Sequence, residues 1–374
     1  MIRLDRIVMR EIRLPLREPF RISSGEWNHR RILLLELFDQ DGASTWSECV
    51  VDDSPNYSYE TIDTAWPTIS RWLAPRLLGR TIESHTQVHD ILERDIRGHN
   101  MAKAVLEMGC WGLAATQAGL PLARLLGGTR THIATGISLG IQKDLPTLIA
   151  KVTEALALGY QKVKIKIAPR TDIEWLAAVR QSCGDDAHLM ADANNAYTLA
   201  EADRLIALDS LNLMMIEQPL ACDDLVRHAE LQKRMRTPLC LDESITSLDR
   251  AQDMVTLGAG RIINIKPGRV GGFAQSIAIH DYCEAHEVPV WCGGMLESGI
   301  GRAYNVALAS LSNFTLPGDL SPSARYWAQD IVTPEWTMDR GLVAVPLDKP
   351  GIGVEVDRAR IDSLTVRTEE LRPA

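Results

Sequence analysis

Five charged residues, each closing a short apolar run, carry most of the chemistry this sequence could perform. They are Lys166 in KVKIKIAP, Asp192 in HLMADANN, Glu217 in LMMIEQP, Asp242 in PLCLDES and Lys266 in RIINIKP. Successive members stand 26, 25, 25 and 24 residues apart, close to the roughly 30 residues of a strand–helix–strand unit. Brought together, Asp192, Glu217 and Asp242 would repel one another and raise one another's pKa values unless a cation neutralised them. An oxygen-only ligand set suits a hard divalent ion, and Mg2+ is the natural choice, with Mn2+ as a substitute. A carboxylate substrate beside such an ion could lose its weakly acidic α-proton, because the enediolate that forms carries its charge next to the metal. A lysine acts as base only if its ammonium pKa is drawn down. Lys164, two residues from Lys166 on the same strand face, supplies a neighbouring positive charge that does this. Bases on opposite faces give racemisation or epimerisation, whereas a substrate with a β-leaving group gives syn elimination of water with one lysine as base and the other as a stabilising cation.

The elements that must position these residues form a longer repeat. THIATGISLG precedes the lysine segment, and PVWCGGM and FTLPGDL follow the last lysine, making eight candidate strands. Between them DIEWLAAVRQ, LAEADRLIALD, LVRHAELQKRM and FAQSIAIHDYCEAH repeat apolar residues at helical spacing. Alternating strands and helices over 131–320 imply a (β/α)8 barrel with room for one imperfect unit, whose catalytic groups sit at the C-terminal ends of the strands. Lys166 then lies on the second strand and Lys266 on the sixth, facing each other across the mouth, with the three carboxylates on the arc between them. Val163, Ile165 and Ile167 must face the helices, which turns the intervening lysines inward.

Outside the barrel, RIVMREIRLPL and RRILLLELFD predict an antiparallel meander. Helical patterns follow in YSYETIDTAWPTISRWLAPRLL, SHTQVHDILERDI and MAKAVLEMGCWGLAATQ. The expected organisation is an α+β capping domain over 1–125, the barrel with the active site over 126–325, and a segment over 326–374 that packs back on the cap. The chain of 374 residues is 45% hydrophobic, enough for more than one core. A formal charge of -9 argues against a nucleic-acid partner. Seven cysteines without a CxxC pair read as thiols of a reducing cytoplasm, and no apolar run of membrane-spanning length is present.

KVKIK, MADANNAY, MIEQPL, LDESI, INIKPGRVGG and GGMLESGIGRAYNVALASL together resemble the enolase superfamily. Within it the sequence is similar to the group holding o-succinylbenzoate synthase and N-acylamino acid (N-succinylamino acid) racemase. PFRISSGEW, NYSYET, FTLPGD and VPLDKPGIGVEVD extend the likeness over nearly the whole chain. The resemblance implies Asp192, Glu217 and Asp242 as metal ligands, Lys166 and Lys266 as the acid/base pair, and Lys164 as the auxiliary lysine. It further implies that Arg269 modulates Lys266, that Asn194 lies beside the metal site, that Ser138 helps hold the substrate carboxylate, and that Gly293, Gly294 and Met295 line its acyl portion. The implied partner is a small carboxylate with a succinyl or N-acyl arm, and the implied assembly is a homo-oligomer. Two activities share this equipment: dehydration to o-succinylbenzoate in menaquinone biosynthesis, and 1,1-proton transfer on N-acylamino acids. The favoured expectation is a synthase that also racemises. A dedicated racemase, a dipeptide epimerase, a muconate cycloisomerase and an inactive metal-binding barrel are the alternatives. Ser24 and Ala324 depart from the group's pattern where side-chain preference is decided.

Weaker signals have plainer explanations. His85 and His89 lack a third zinc ligand, GRVGG lacks a phosphate-loop spacing, and His280 and His286 fit a helix and a loop. Trp66, Trp72 and Trp111 read as core or interface packing rather than a stacking platform.

Overall fold

The N-terminal 50 residues form a sheet because apolar residues alternate along them, and only pairing on both sides satisfies so long a backbone. In the computed structural model, which describes residues 1–22, 25–169 and 172–373, β1 (Ile2–Ile22), β2 (Gly25–Asp39) and β3 (Ser44–Cys49) are a continuous antiparallel meander. Ser24 lies outside the described residues. Leu33, Leu35 and Leu37 of β2 pack on the long helix α1 (Asn100–Ala118) through Val105, Leu106 and Leu113. The final strand, Thr365–Leu371, pairs antiparallel with β1 on the side away from β2.

Seven parallel strands follow, in sequential spatial order: β4 (Ile137–Leu139), β5 (Val163–Lys166), β6 (Leu189–Asp192), β7 (Ile216–Glu217), β8 (Leu239–Leu241), β9 (Ile262–Ile265) and β10 (Val290–Cys292). Helices cover their outer face. Val163, Ile165 and Ile167 pack there against Leu148, Val152, Leu176 and Val179, so the lysines between them point into the barrel. The expected eighth strand is not regular. Its segment holds Pro317 and Gly318, a residue without an N–H beside one without a side chain, and this weakens strand pairing. It still closes the ring, because Gly318 N–H donates to Ala134, Gly136 N–H donates to Gly318, and Asp319 N–H donates to Cys292.

Cap and barrel are joined by buried polar contacts. Glu48 of β3 accepts from the N–H groups of Ser298 and Gly301, at the start of the barrel helix Gly299–Leu308. Glu107 of α1 accepts from Phe273 and Ala274 N–H, at the start of the helix Phe273–Ala285. Carboxylates satisfy the orphan N–H groups of a helix start and complement its dipole. Asn100 donates to the carbonyls of Thr246 and Arg269, fastening α1 beside the β9 end. Trp66 and Trp111 are buried as expected. Trp72 is not: 65% of its surface is exposed, because Ile62, Trp66, Ile69 and Leu73 take the buried face of the helical stretch that carries it.

Candidate active site

Register decides which side chains meet. Lys166, Asp192 and Glu217 are paired neighbours across β5, β6 and β7, so their side chains lie in one layer. Asp242 and Lys266 follow the last residues of β8 and β9. All five stand where the strands end, and Lys166 and Lys266 come from strands four apart around the ring.

On the β5 side, Lys166 Nζ donates to Asp192 Oδ2 at 2.6 Å and to Asn194 Oδ1 at 2.5 Å. Asn194 has a positive φ, which turns its side chain back over the strand end, and its amide donates to Glu243. Lys164, one layer deeper, reaches Asp319 at 2.6 Å, Glu217 at 3.1 Å and Asp192 at 3.3 Å. Burial alone would discharge Lys164, but Asp319, Glu217 and Asp192 outweigh it and hold its pKa well above the ordinary lysine value. The charge expected beside Lys166 is therefore present.

On the β9 side, Lys266 Nζ donates to Asp242 Oδ2 at 2.8 Å and to the Tyr57 hydroxyl at 3.2 Å. Arg269 Nη1 contacts Asp242 Oδ1 and donates to the same Tyr57 hydroxyl at 3.1 Å. Arg269 and Lys266 thus share two partners instead of touching each other. Burial, first, and the charge of Lys164 work against the Lys266 ammonium, yet Tyr57, Glu217 and Glu243 outweigh both, and its pKa is raised. This differs from the lowered value a base requires, because in this state the carboxylate charge is spent on the lysines.

The carboxylates share a second property. Burial is the largest effect on both Asp192 and Glu217, which are paired neighbours on adjacent strands, yet the two move in opposite directions. Lys166 and Lys164 overcome burial and hold Asp192 far below the usual range, while the charge of Asp192 adds to burial in raising Glu217. Glu243 is raised by burial and by Asp192. Its Oε2 and the Asn195 Oδ1 are buried without a hydrogen-bond partner.

Comparison with known proteins joins these features to a family. Residues 5–127 match the mandelate racemase/muconate lactonizing enzyme N-terminal domain, and residues 147–360 match the enolase C-terminal domain-like family. The chain belongs to the enolase superfamily. It is 46% identical to an o-succinylbenzoate synthase of Geobacillus stearothermophilus, over 97% of this chain and 96% of that protein. It is 44% identical to an N-succinylamino acid racemase of Amycolatopsis sp, over 97% and 98%. A solved structure of an enolase superfamily member from Listeria innocua Clip11262 superposes with a TM-score of 0.96 at 38% identity, covering both chains completely. Abstraction of a proton α to a carboxylate is typical of this group, and superfamily members typically need a divalent metal.

The donors fit such an ion. Asp192, Glu217, Asp242 and Glu243 offer only oxygen, Asp192 and Glu217 are paired neighbours on adjacent strands, and Glu243 Oε2 and Asn195 Oδ1 lack hydrogen-bond partners among the described residues. Asp242 is turned toward Lys266 and Arg269, which keeps the trio open. Among the described residues, the one group of three potential ligands with all atoms within 4.8 Å of one another is His280, Asp281 and Glu284, on the outer helix. The two acids there are exposed.

The remaining anticipated residues occupy the same mouth. Ser138 pairs with Lys164 across β4 and β5 and is buried. Gly293 must be glycine, since a Cβ there would stand 2.3 Å from the Asn264 amide oxygen and 2.7 Å from Lys266 Cε. Gly294 lies against the Asp319 carbonyl, and Met295 N–H donates to Glu297. Ala324 is exposed. Tyr57, Asp319, Asn264 and Glu243 were not anticipated. Asn264 donates to Glu217 Oε1 at 2.7 Å. Asn264 stands two residues before Lys266 on the same strand face, where alternation offered a signal, whereas Glu243 follows Asp242 beyond the strand end, where it offers none. Tyr57 comes from the cap, more than 200 residues from Lys266, and spacing along the chain carries no trace of it.

Proposed function

We propose that this protein is an o-succinylbenzoate synthase that also racemises N-succinylamino acids. The observation that carries the proposal is the pair of lysines on strands four apart, each tied to its own buried carboxylate, in a chain 44–46% identical to proteins of both activities. Asp192, Glu217 and Asp242 would hold Mg2+, or Mn2+ in its place, and the ion would supply positive charge for the enediolate oxygens. Carboxylate charge now spent on the lysines would then be shared with the cation, lowering the cost of a neutral lysine.

In racemisation Lys166 removes the α-proton from one face, and Lys266 delivers a proton to the other. The reverse direction exchanges their roles. In dehydration Lys166 removes the α-proton, and the same ammonium protonates the departing hydroxide to release water, while Lys266 remains charged beside the enediolate. Arg269 and Tyr57 orient Lys266 through Asp242, Asn194 orients Lys166, Ser138 holds the carboxylate, and Gly293, Gly294 and Met295 receive the succinyl arm. A cap of 1–125, a barrel of 126–325 and a returning tail of 326–374 are the functional division, in a cytoplasmic homo-oligomer. No helix among the described residues is long and apolar enough to cross a membrane, and all seven cysteines are free.

Proton NMR of the purified protein with Mg2+ tests the proposal on the o-succinylbenzoate precursor in water and on N-succinyl-phenylalanine in D2O. Turnover of both supports it. Turnover of the amino acid derivative alone makes the protein a dedicated racemase, and inertness toward both contradicts the proposal.

A further inference from the structure

The β5 side of the barrel carries a third lysine that the chemistry above leaves unused. Lys162 precedes β5 and points the same way as Lys164 and Lys166, so the three form a column with steps of about 6.6 Å. It is fully buried. Its ammonium lies 3.4 Å from the centroid of the Trp291 ring, itself fully buried, and 3.2 Å from Asp319 Oδ1. That ion pair is too poorly aligned to count as a hydrogen bond, and the ammonium has no other acceptor among the described residues.

Burying an ammonium at this depth is unfavourable, and one imperfect ion pair and an aromatic face offset that only in part. The surrounding barrel is nonetheless shaped for it. A Cβ at Gly136, on the neighbouring strand segment, would stand 2.8 Å from Lys162 Cε and 2.9 Å from its Cβ. The other carboxylate oxygen of Asp319 binds Lys164 at 2.6 Å. One carboxylate is thereby stretched between two cations. Lys164 in turn contacts Glu217 and Asp192, the partner of Lys166.

We propose that Lys162 is a positioning residue: by holding one oxygen of Asp319, it keeps that carboxylate from drawing Lys164 down and away from Asp192 and Lys166. The inference rests on the two-base function proposed above and adds a direction to it, because the column ends at Lys166 and at its hydrogen-bonded partner Asp192. Lys266 has separate partners in Asp242 and Tyr57.

The test is α-proton exchange of D- and L-N-succinyl-phenylalanine in D2O, followed separately for each enantiomer. The enantiomer whose exchange disappears in Lys166→Ala defines the Lys166 face. In Lys162→Met, which keeps the volume and removes the charge, exchange on that face should slow about 10- to 100-fold, the usual range for a displaced supporting residue. Exchange of the other enantiomer should stay within about threefold of wild type. Asp319→Asn introduced into Lys162→Met removes the pull on Lys164 and should recover exchange on the Lys166 face, and Lys162→Gln, also neutral, carries the test if Lys162→Met does not fold. Equal slowing of both enantiomers, or slowing of neither, overturns the proposal. A wild-type protein that exchanges neither enantiomer removes the parent function and this inference with it, whereas an active wild type with symmetric variants removes this inference only.

Discussion

The two lysines of the mouth are supported in different ways. Lys166 is held from within the barrel, by Asp192 of the adjacent strand and by Asn194 two residues beyond, above a column of further lysines. Lys266 is held from both domains: Asp242 and Arg269 belong to the barrel, but the hydroxyl they share comes from Tyr57 of the cap. Among the described residues, the hydrogen bonds that hold Lys166 all come from the barrel. The set that holds Lys266 is complete only when the cap is seated, so motion or damage at the interface should reach the Lys266 face first.

The largest expected effect should not distinguish the faces at all. Removing divalent metal with EDTA should abolish exchange of both enantiomers, a loss of at least about 10^3-fold, because enediolate charge is shared by both directions. Mg2+ or Mn2+ should restore both equally. Loss confined to one enantiomer would mean that the cation serves one lysine and not the shared intermediate.

Smaller changes should separate the faces. Tyr57→Phe removes one hydroxyl from Lys266 and Arg269 and should slow exchange on the Lys266 face about 10-fold, in keeping with about 1.5 kcal/mol for a hydrogen bond to a charged group. Asn194→Ala should do the same on the Lys166 face. The crossed pattern is the decisive observation in enantiomer-resolved exchange rates, and a Tyr57→Phe variant slowed equally on both faces would contradict the division described here.

The cap itself supplies the mildest prediction. Burial pushes the Glu107 carboxyl up to about 7 from an ordinary value of 4.5. The folded protein then binds this proton more tightly than the unfolded chain, so the contribution to stability is full below about pH 4.5 and is lost as pH rises toward about 7. Glu107→Gln cannot titrate. Its thermal midpoint relative to wild type should therefore rise between pH 5 and pH 8, by a few degrees for a chain of this size. A constant difference across that range would show that Glu107 is ionised at the interface throughout.

The same contrast governs what the amino-acid sequence disclosed. The β5 side was legible because strand periodicity is local: Val163, Ile165 and Ile167 face the helices, so Lys164 and Lys166 must point inward. The repeat near 25 residues likewise placed Asp192, Glu217, Asp242 and Lys266 at strand ends. Tyr57 was not legible, since its meeting with Lys266 depends on how the cap docks through Glu48, Glu107 and Asn100, contacts made between residues far apart in the chain. Asp319 was hidden by an irregular eighth segment, whose proline and glycine mask the strand pattern that would have pointed its side chain inward. The exposure of Trp72 was missed because a large aromatic ring suggests packing, whereas Ile62, Trp66, Ile69 and Leu73 take the buried face of that helical stretch.

The central claim is that two lysines act on opposite faces of one carbon. Lys166→Ala and Lys266→Ala, each loaded with Mg2+ and offered D- and L-N-succinyl-phenylalanine in D2O, test it most directly by NMR and polarimetry. Each variant should exchange the α-proton of only one enantiomer, the two variants should choose opposite enantiomers, and neither should racemise. A single-lysine variant that still interconverts the enantiomers at the wild-type rate would contradict the account.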